Sequence, residues 1–163
     1  MEIERKFLPL MEQLPFHPED FPCRRIEQGY LCTNPVVRIR RDNDEYYLTY
    51  KSKGLLVREE YNLPLTPEGY GHLLAKADGR IITKKRYVFP LEDNLKLELD
   101  IFEGDLAPLI IAEIEFPDEE TARAYQPPKW LGEDVTYSPL YHNSVLSSPD
   151  TDIPSLNISR QQD

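Results

Sequence analysis

The chain has 163 residues, 40% of them hydrophobic and 10% aromatic, enough to bury the core of one ordinary domain and too few for two. With 29 acidic residues against 19 Lys and Arg, the net charge of −10 disfavours a general nucleic-acid binder or a protein held on an anionic membrane. The longest apolar run, 109–112, is far short of the roughly 20 residues of a spanning helix, and Met-Glu-Ile-Glu-Arg-Lys is unlike a basic-then-apolar leader, so a cytoplasmic protein is expected.

Period-two alternation predicts a first strand over 2–8 and four more over 24–33, 36–41, 45–53 and 56–64, with Asp42-Asn43-Asp44 and Gly54 among the turns. Thr66 as N-cap and Pro67 as the first helical residue then predict a helix reaching Asp78, with Gly79 as its stop. Three further strands follow over 80–90, 95–103 and 109–116. Asp118-Glu119-Glu120 opens a shorter helix ending near Tyr125-Gln126, before Pro127-Pro128, and another turn is predicted around 140–146. The fifteen prolines cluster at the joints between these segments and punctuate them. Residues 1–146 read as one domain and 147–163 as a polar tail. Cys23 and Cys32 read as ordinary buried thiols, since neither sits beside a His or a second thiol.

On each strand one phase is bulky and apolar, while the other is nearly all charge. The charged phase holds Glu2, Glu4 and Lys6; Arg38 and Arg40; Lys51 beside Thr49; Arg58 and Glu60; Lys84 and Arg86; Glu98 and Asp100; Glu113 and Glu115. Seven acids meet seven bases there, so this face is neutral in a protein of charge −10. Any single pair reads equally as a cross-strand ion pair on a solvated face. As a set, acids group on the strands of 2–4, 98–100 and 113–115, and cations on those of 38–40, 51 and 84–86. Converging acid pairs offer oxygen ligands to a hard divalent cation, and the basic strands suit a multiply charged anion. A phosphate chain bridged to Mg²⁺ or Mn²⁺ satisfies both. Turning this face inward gives a mainly β (α+β) fold, an eight-stranded antiparallel β-barrel tunnel with a few peripheral helices.

The opening Glu2-Ile3-Glu4-Arg5-Lys6 resembles the E-x-E-x-K signature of the CYTH superfamily, the triphosphate tunnel metalloenzymes. Arg38-Ile39-Arg40, Tyr50-Lys51, Arg58-Glu59-Glu60-Tyr61, Lys84-Lys85-Arg86-Tyr87, Glu98-Leu99-Asp100 and Glu113-Ile114-Glu115-Phe116 follow in that family's order, so the resemblance covers roughly residues 2 to 146. It implies that Glu2, Glu4, Asp100, Glu113 and Glu115 ligate metal, with Glu98 as a further metal-side acid and Glu60 near metal or attacking water. It implies a phosphate cradle of Lys6, Arg38, Arg40, Lys51, Lys84 and Arg86, with which Arg58 is grouped. Gln28-Gly29-Tyr30-Leu31 is similar to a motif of small bacterial members, in which Tyr30 pairs with Lys6 to position water; packing is the competing role for Tyr30. The chain departs from the resemblance at Pro139-Leu140-Tyr141-His142-Asn143-Ser144, where the basic residues of small bacterial members are missing. His142 reads as an exposed helical residue, with substitution for those cations as the alternative.

The expected activity is metal-dependent hydrolysis of a terminal phosphoanhydride, with a cation held by Glu2, Glu4 and the Asp100, Glu113 and Glu115 group, and Glu60 or a second ion directing water. No Ser-His-Asp set, phosphate loop or zinc motif competes. Trp130 reads as packing at the barrel end, so no base or thiazolium pocket is evident and inorganic tripolyphosphate is the expected substrate. A nucleoside triphosphatase is the next reading, then an adenylate cyclase or thiamine triphosphatase, and last a non-catalytic polyphosphate binder. A homodimer is compatible with the sequence, and neither nucleic acid nor membrane is an expected partner.

Overall fold

Strands form wherever the alternation runs. In the computed structural model, which describes residues 1–152, they make one antiparallel sheet rolled around its charged face. They are β1 (Glu2–Leu8), β2 (Cys23–Thr33), β3 (Val36–Asp42), β4 (Glu45–Lys51), β5 (Val57–Arg58), β6 (Glu60–Pro64), β7 (Asp78–Pro90), β8 (Lys96–Phe102), β9 (Ile110–Glu115) and β10 (Glu133–Asp134). The wall runs β1-β9-β8-β7-β2-β3-β4-β6, and β5, one residue before β6, returns to β1 through Glu2↔Arg58 and Ile3↔Val57. Together β5 and β6 are the predicted strand 56–64, broken where the Glu59 N–H donates to the Ser52 hydroxyl at 2.9 Å. The eight expected strands are thus all in the wall of a nearly closed barrel. β10 is an addition, two residues pairing with Phe7 and Leu8 of β1.

The helices lie outside. Thr66 caps α1 (Pro67–Leu74) by accepting from the Gly69 N–H at 3.0 Å, as its sequence predicts. This helix stops four residues before Asp78, because Asp78 already pairs with Tyr30 as the first residue of β7. Gly79 is the second residue of that strand rather than the end of the helix. Its φ of +66° and its approach to the Ser147 carbonyl leave no room for a Cβ, and the next N–H, that of Arg80, donates to Ser147 O at 2.7 Å. α2 (Glu119–Ala124) is capped by Asp118, and the Arg5 guanidinium on β1 donates to the carbonyls of Ala122 and Tyr125 at 3.0 and 2.9 Å near its end. α3 (Asn143–Leu146) follows a 3₁₀ turn over Pro139–Tyr141.

The apolar phase faces outward and is covered on one side of the barrel. Ile3, Phe7, Leu97, Leu99, Ile114 and Phe116 pack beneath Ala122 of α2 and Leu131. Leu8, Ile82, Phe102 and Ile111 share the inward phase of their strands and, with Tyr141 and Leu146, plug one end of the barrel. Trp130 is a packing residue as expected, edge-on to Phe16 at 6.0 Å, but on the outer cluster of Ile3 and Phe7 and not in the cluster that fills the barrel end. The cysteines are not buried as expected. Cys23 is exposed and Cys32 half-buried, because both lie at the ends of β2, where the wall opens to solvent. Of the predicted tail, Ser147 is buried against β7 and the Thr151 hydroxyl donates to Val145 O at 2.7 Å, whereas 153–163 lie outside the described residues. Among the described residues no helix is long and apolar enough to cross a membrane.

Gly132 sets the end of β1. Its φ is +70°, and a Cβ there would collide with the Leu8 carbonyl oxygen. Gly132→Ala is expected to cost about 1–3 kcal/mol, read as a lower urea midpoint at unchanged slope.

Candidate active site

Because the charged phase of every wall strand points inward, the barrel encloses a cavity of about 360 Å³. Thirteen of the fourteen charged residues predicted for this face line it, and so does Tyr30. The exception is Asp100. It is fully buried on the inner face beneath two lining residues, with Lys84 Nζ at 2.7 Å and Arg86 Nε and Nη2 at 2.7 and 2.9 Å. Both oxygens are committed to these cations, so Asp100 anchors them and does not face the cavity as the expected ligand set requires.

Sheet order explains the segregation seen in the sequence. The acid-bearing strands β1, β9 and β8 are consecutive, and the cation-bearing β7, β3 and β4 complete the other side with β2 among them. Register then sets like charges directly opposite each other. Glu4 faces Glu115, and Glu98 faces Glu113. Such pairs destabilise a sheet unless a counter-charge joins them.

Some of the charge is spent internally. Lys51 Nζ holds Glu2 at 3.0 Å and Glu60 at 3.4 Å. Glu98 meets Arg86 at 3.0 Å and Arg24 at 3.3 Å. Lys6 Nζ stands 3.9 Å from Glu4, at the limit of an ion pair. What remains is informative. Among the described residues, Arg38, Arg40 and Arg58 have no carboxylate within ion-pair distance, and Glu113 and Glu115 have no cation.

Titration follows this geometry. Burial, then the charges of Glu113 and Glu2, push the Glu4 carboxyl well above its ordinary range. Glu115 is also pushed up, by burial and then by Glu2, Glu60 and Glu98. Burial works against ionisation of Glu60, but its hydrogen bond with Glu2, the Lys51 ammonium and Asn62 together draw it down to about 2. Burial lowers Arg38 to about 10, assisted by the neighbouring Arg40. Burial brings Lys84 to about 7 against the opposing pull of Asp100, with Arg86 and Arg40 adding to the depression.

Neutral residues that the charge pattern overlooks hold the cations in place. Gln28, fully buried on β2, accepts from Arg40 Nε at 2.8 Å and donates to the Tyr30 hydroxyl and to Asn143 Oδ1, both at 3.2 Å. Arg38 Nη2 donates to Thr49 at 3.0 Å, and Asn62 Nδ2 donates to Glu60 at 3.2 Å. Gln28 shares the phase of Tyr30, and Asn62 that of Glu60, so the alternation could have found both. Asn143 accepts from Lys84 Nζ at 2.9 Å and comes from four-residue α3, which offers no such periodicity. The expected Lys6–Tyr30 pairing is not what these side chains make: Lys6 is directed to Glu4 and Tyr30 to Gln28. His142, expected to be exposed, is 8% exposed and lines the cavity, because Tyr141 before it is buried in the end cluster and turns it inward.

The family model of the CYTH domain matches residues 1–146, the entire barrel. The chain belongs to the CYTH family. Two relatives of this CYTH chain are inorganic triphosphatases. One, from Nitrosomonas europaea, is 38% identical over 149 residues, 90% of this chain and 96% of the relative. The other, from Acetivibrio thermocellus, is 40% identical over 124 residues, 73% of this chain and 77% of the relative. A crystal structure of an inorganic triphosphatase matches with a TM-score of 0.66 at 36% identity, over 90% of this chain and 94% of that one.

CYTH triphosphatases depend on a metal in general. Among the described residues no three His, Cys, Asp or Glu side chains are already gathered into a cation site. The donor set nonetheless suits a hard divalent cation. It is all carboxylate oxygen, it is set in facing like-charge pairs, and Glu4 and Glu115 retain their protons more strongly than ordinary carboxyls.

Proposed function

We propose that this CYTH protein is a metal-dependent phosphohydrolase that cleaves the terminal phosphoanhydride of inorganic triphosphate. The observation that carries this reading is the unspent charge in one cavity: among the described residues Arg38, Arg40 and Arg58 have no carboxylate, and Glu115 no cation, within ion-pair distance. A polyanion bridged to a divalent cation neutralises both sets. Inorganic triphosphate is favoured because the lining of the described cavity is dominated by charged and polar side chains, with Val36 its one aliphatic residue beside Tyr30 and Tyr47. The activity named for both relatives supports the same substrate.

Glu4, Glu113 and Glu115, with Glu2 beside them, would hold the cation, and Mg²⁺ or Mn²⁺ suits these ligands. When bound, it neutralises non-bridging oxygens and polarises the phosphorus under attack. Arg38, Arg40, Arg58, Lys84 and Arg86 bind the chain and stabilise the diphosphate that leaves. Lys6 and Lys51 lie at the seam between the two walls and position the terminal group. Glu60, ionised down to about pH 2, orients water by accepting its hydrogen bond and is too weak a base to take its proton. A loose phosphoryl-transfer transition state needs little more than this positioning and charge stabilisation.

Phosphate release from tripolyphosphate, ATP and thiamine triphosphate, each with Mg²⁺, Mn²⁺ or EDTA, tests the reading, with nucleotide products resolved by chromatography. Metal-dependent release with tripolyphosphate fastest is expected. Conversion of ATP to a cyclic nucleotide, or no release from tripolyphosphate with either metal, overturns it.

A further inference from the structure

Two buried nitrogens of the described cavity lining lack a hydrogen-bond partner, Arg38 Nε and His142 Nε2. The first belongs to a guanidinium already assigned to phosphate. The second has no role in the reading above. A buried polar atom left unpaired carries its full desolvation cost, so an orphan on a side chain that lines a binding cavity marks a place where a small turn of the ring lets a ligand supply the partner.

The backbone at His142 is held in place. The N–H groups of Val145 and Leu146 both donate to the His142 carbonyl at 2.9 Å. On one side Tyr141 is buried in the end cluster, and on the other Asn143 is tied to Lys84 and Gln28. Burial, followed by the charges of Lys6, Arg58 and Lys51, drives the His142 pKa down to about 3, so the ring is neutral and carries one N–H and one lone pair. Were the lone pair on Nε2, the ammonium groups nearby would be its natural donors. Lys51 instead gives its protons to Glu2 and Glu60, and Lys6 is directed to Glu4. Of the charges acting on the ring only Glu113 opposes these cations, and it too leaves Nε2 unpaired; the mainly positive surroundings favour the N–H tautomer and an anionic acceptor brought by a ligand. From 141 to 151 the chain has no Lys or Arg, so this side of the cavity meets its ligand through neutral donors.

We propose that His142 is a substrate-contacting residue that donates its Nε2–H to a non-bridging oxygen of the bound phosphate chain. This rests on the triphosphate reading and adds a contact that is a hydrogen bond without formal charge. Its contribution to affinity is therefore insensitive to ionic strength, unlike that of Arg58 across the cavity.

The test is calorimetric binding of tripolyphosphate to the full chain in EDTA, where no metal-dependent turnover occurs, for wild type, His142→Phe and His142→Gln. Loss of a hydrogen bond to a charged acceptor weakens binding by about tenfold to a hundredfold. His142→Phe is expected to show that loss undiminished between low and high salt. His142→Gln, whose amide nitrogen reaches about as far as Nε2, is expected to bind within about threefold of wild type. Ligand-free His142→Phe is expected to melt no lower than wild type, since an unpaired polar atom has been removed. Equal binding of tripolyphosphate by wild type and His142→Phe overturns the proposal, as does equal weakening by both variants or a lower melting temperature of His142→Phe without ligand. Failure of wild type itself to bind tripolyphosphate overturns the triphosphate reading instead.

Discussion

Asp100→Asn is expected to lower the unfolding free energy at pH 6 by about 3–5 kcal/mol, the cost of stripping a buried ion cluster of its counter-charge. The carboxylate is fully buried and binds two cations, of which Lys84 is 1% exposed. Asparagine preserves the shape but strips Lys84 of its buried carboxylate and leaves Arg86 with Glu98 alone. The pH dependence has a definite sign. Burial works against ionisation of Asp100, but Arg86 and Lys84 together draw it down to about 2, below its value in an unfolded chain. Between these values the unfolded chain binds more protons, so this stabilisation is complete above about pH 4 and is lost as pH falls toward 2. The gap between wild type and Asp100→Asn should therefore narrow across that window. Adding Lys84→Met should recover part of the loss, because the buried amine that lost its carboxylate is then absent. Urea unfolding of the single and double variants from pH 3 to 7 measures this, and a single-variant cost under about 1 kcal/mol would show that Asp100 is not the anchor.

Asp100 also shows where sequence reading stops. Period two separates the two faces of a strand, and because this barrel is charged inside and apolar outside, that was enough to find all eight wall strands and thirteen cavity residues. It says nothing about depth. Asp100 has the phase of Glu98, yet it is paired with Arg86 across β7 and β8 and lies behind the surface that Glu98 reaches. Nor does alternation give register, so the facing pairs Glu4–Glu115 and Glu98–Glu113 were visible only as acids on separate strands. Elements without periodicity were missed or misjudged for the same reason. β10 is two residues long, and α1 gives way to a strand partner that no capping signal encodes. His142 resembles an exposed helical residue until burial of Tyr141 turns it toward the cavity.

Glu4→Gln is expected to reduce metal-dependent phosphate release by about 10²–10³-fold while making the metal-free protein more stable. The kinetic part follows from losing a ligand to a cation that supplies several kcal/mol of transition-state stabilisation, at tenfold in rate per 1.36 kcal/mol. The stability part follows from electrostatics. Burial, with Glu113 and Glu2, raises Glu4 well above an unfolded glutamate, and Lys6 and Lys51 do not offset this. Between the two values the folded state binds the extra proton, so wild-type stability falls as pH rises through that window. Gln mimics the protonated carboxyl and has no such slope. In EDTA the variant's advantage should therefore grow from pH 5 to pH 8. Saturating Mg²⁺ should reverse the order, since a ligand at 100 times its Kd stabilises the folded state by about 2.7 kcal/mol, and the variant forfeits much of that gain. Binding to wild type should also release protons, seen as a buffer-dependent heat, because an ionised Glu4 is the better ligand. Melting temperatures of both proteins with EDTA and with Mg²⁺ at pH 6 and pH 8 distinguish the outcomes. Equal gains from Mg²⁺, together with unchanged phosphate release, would remove Glu4 from the cation site.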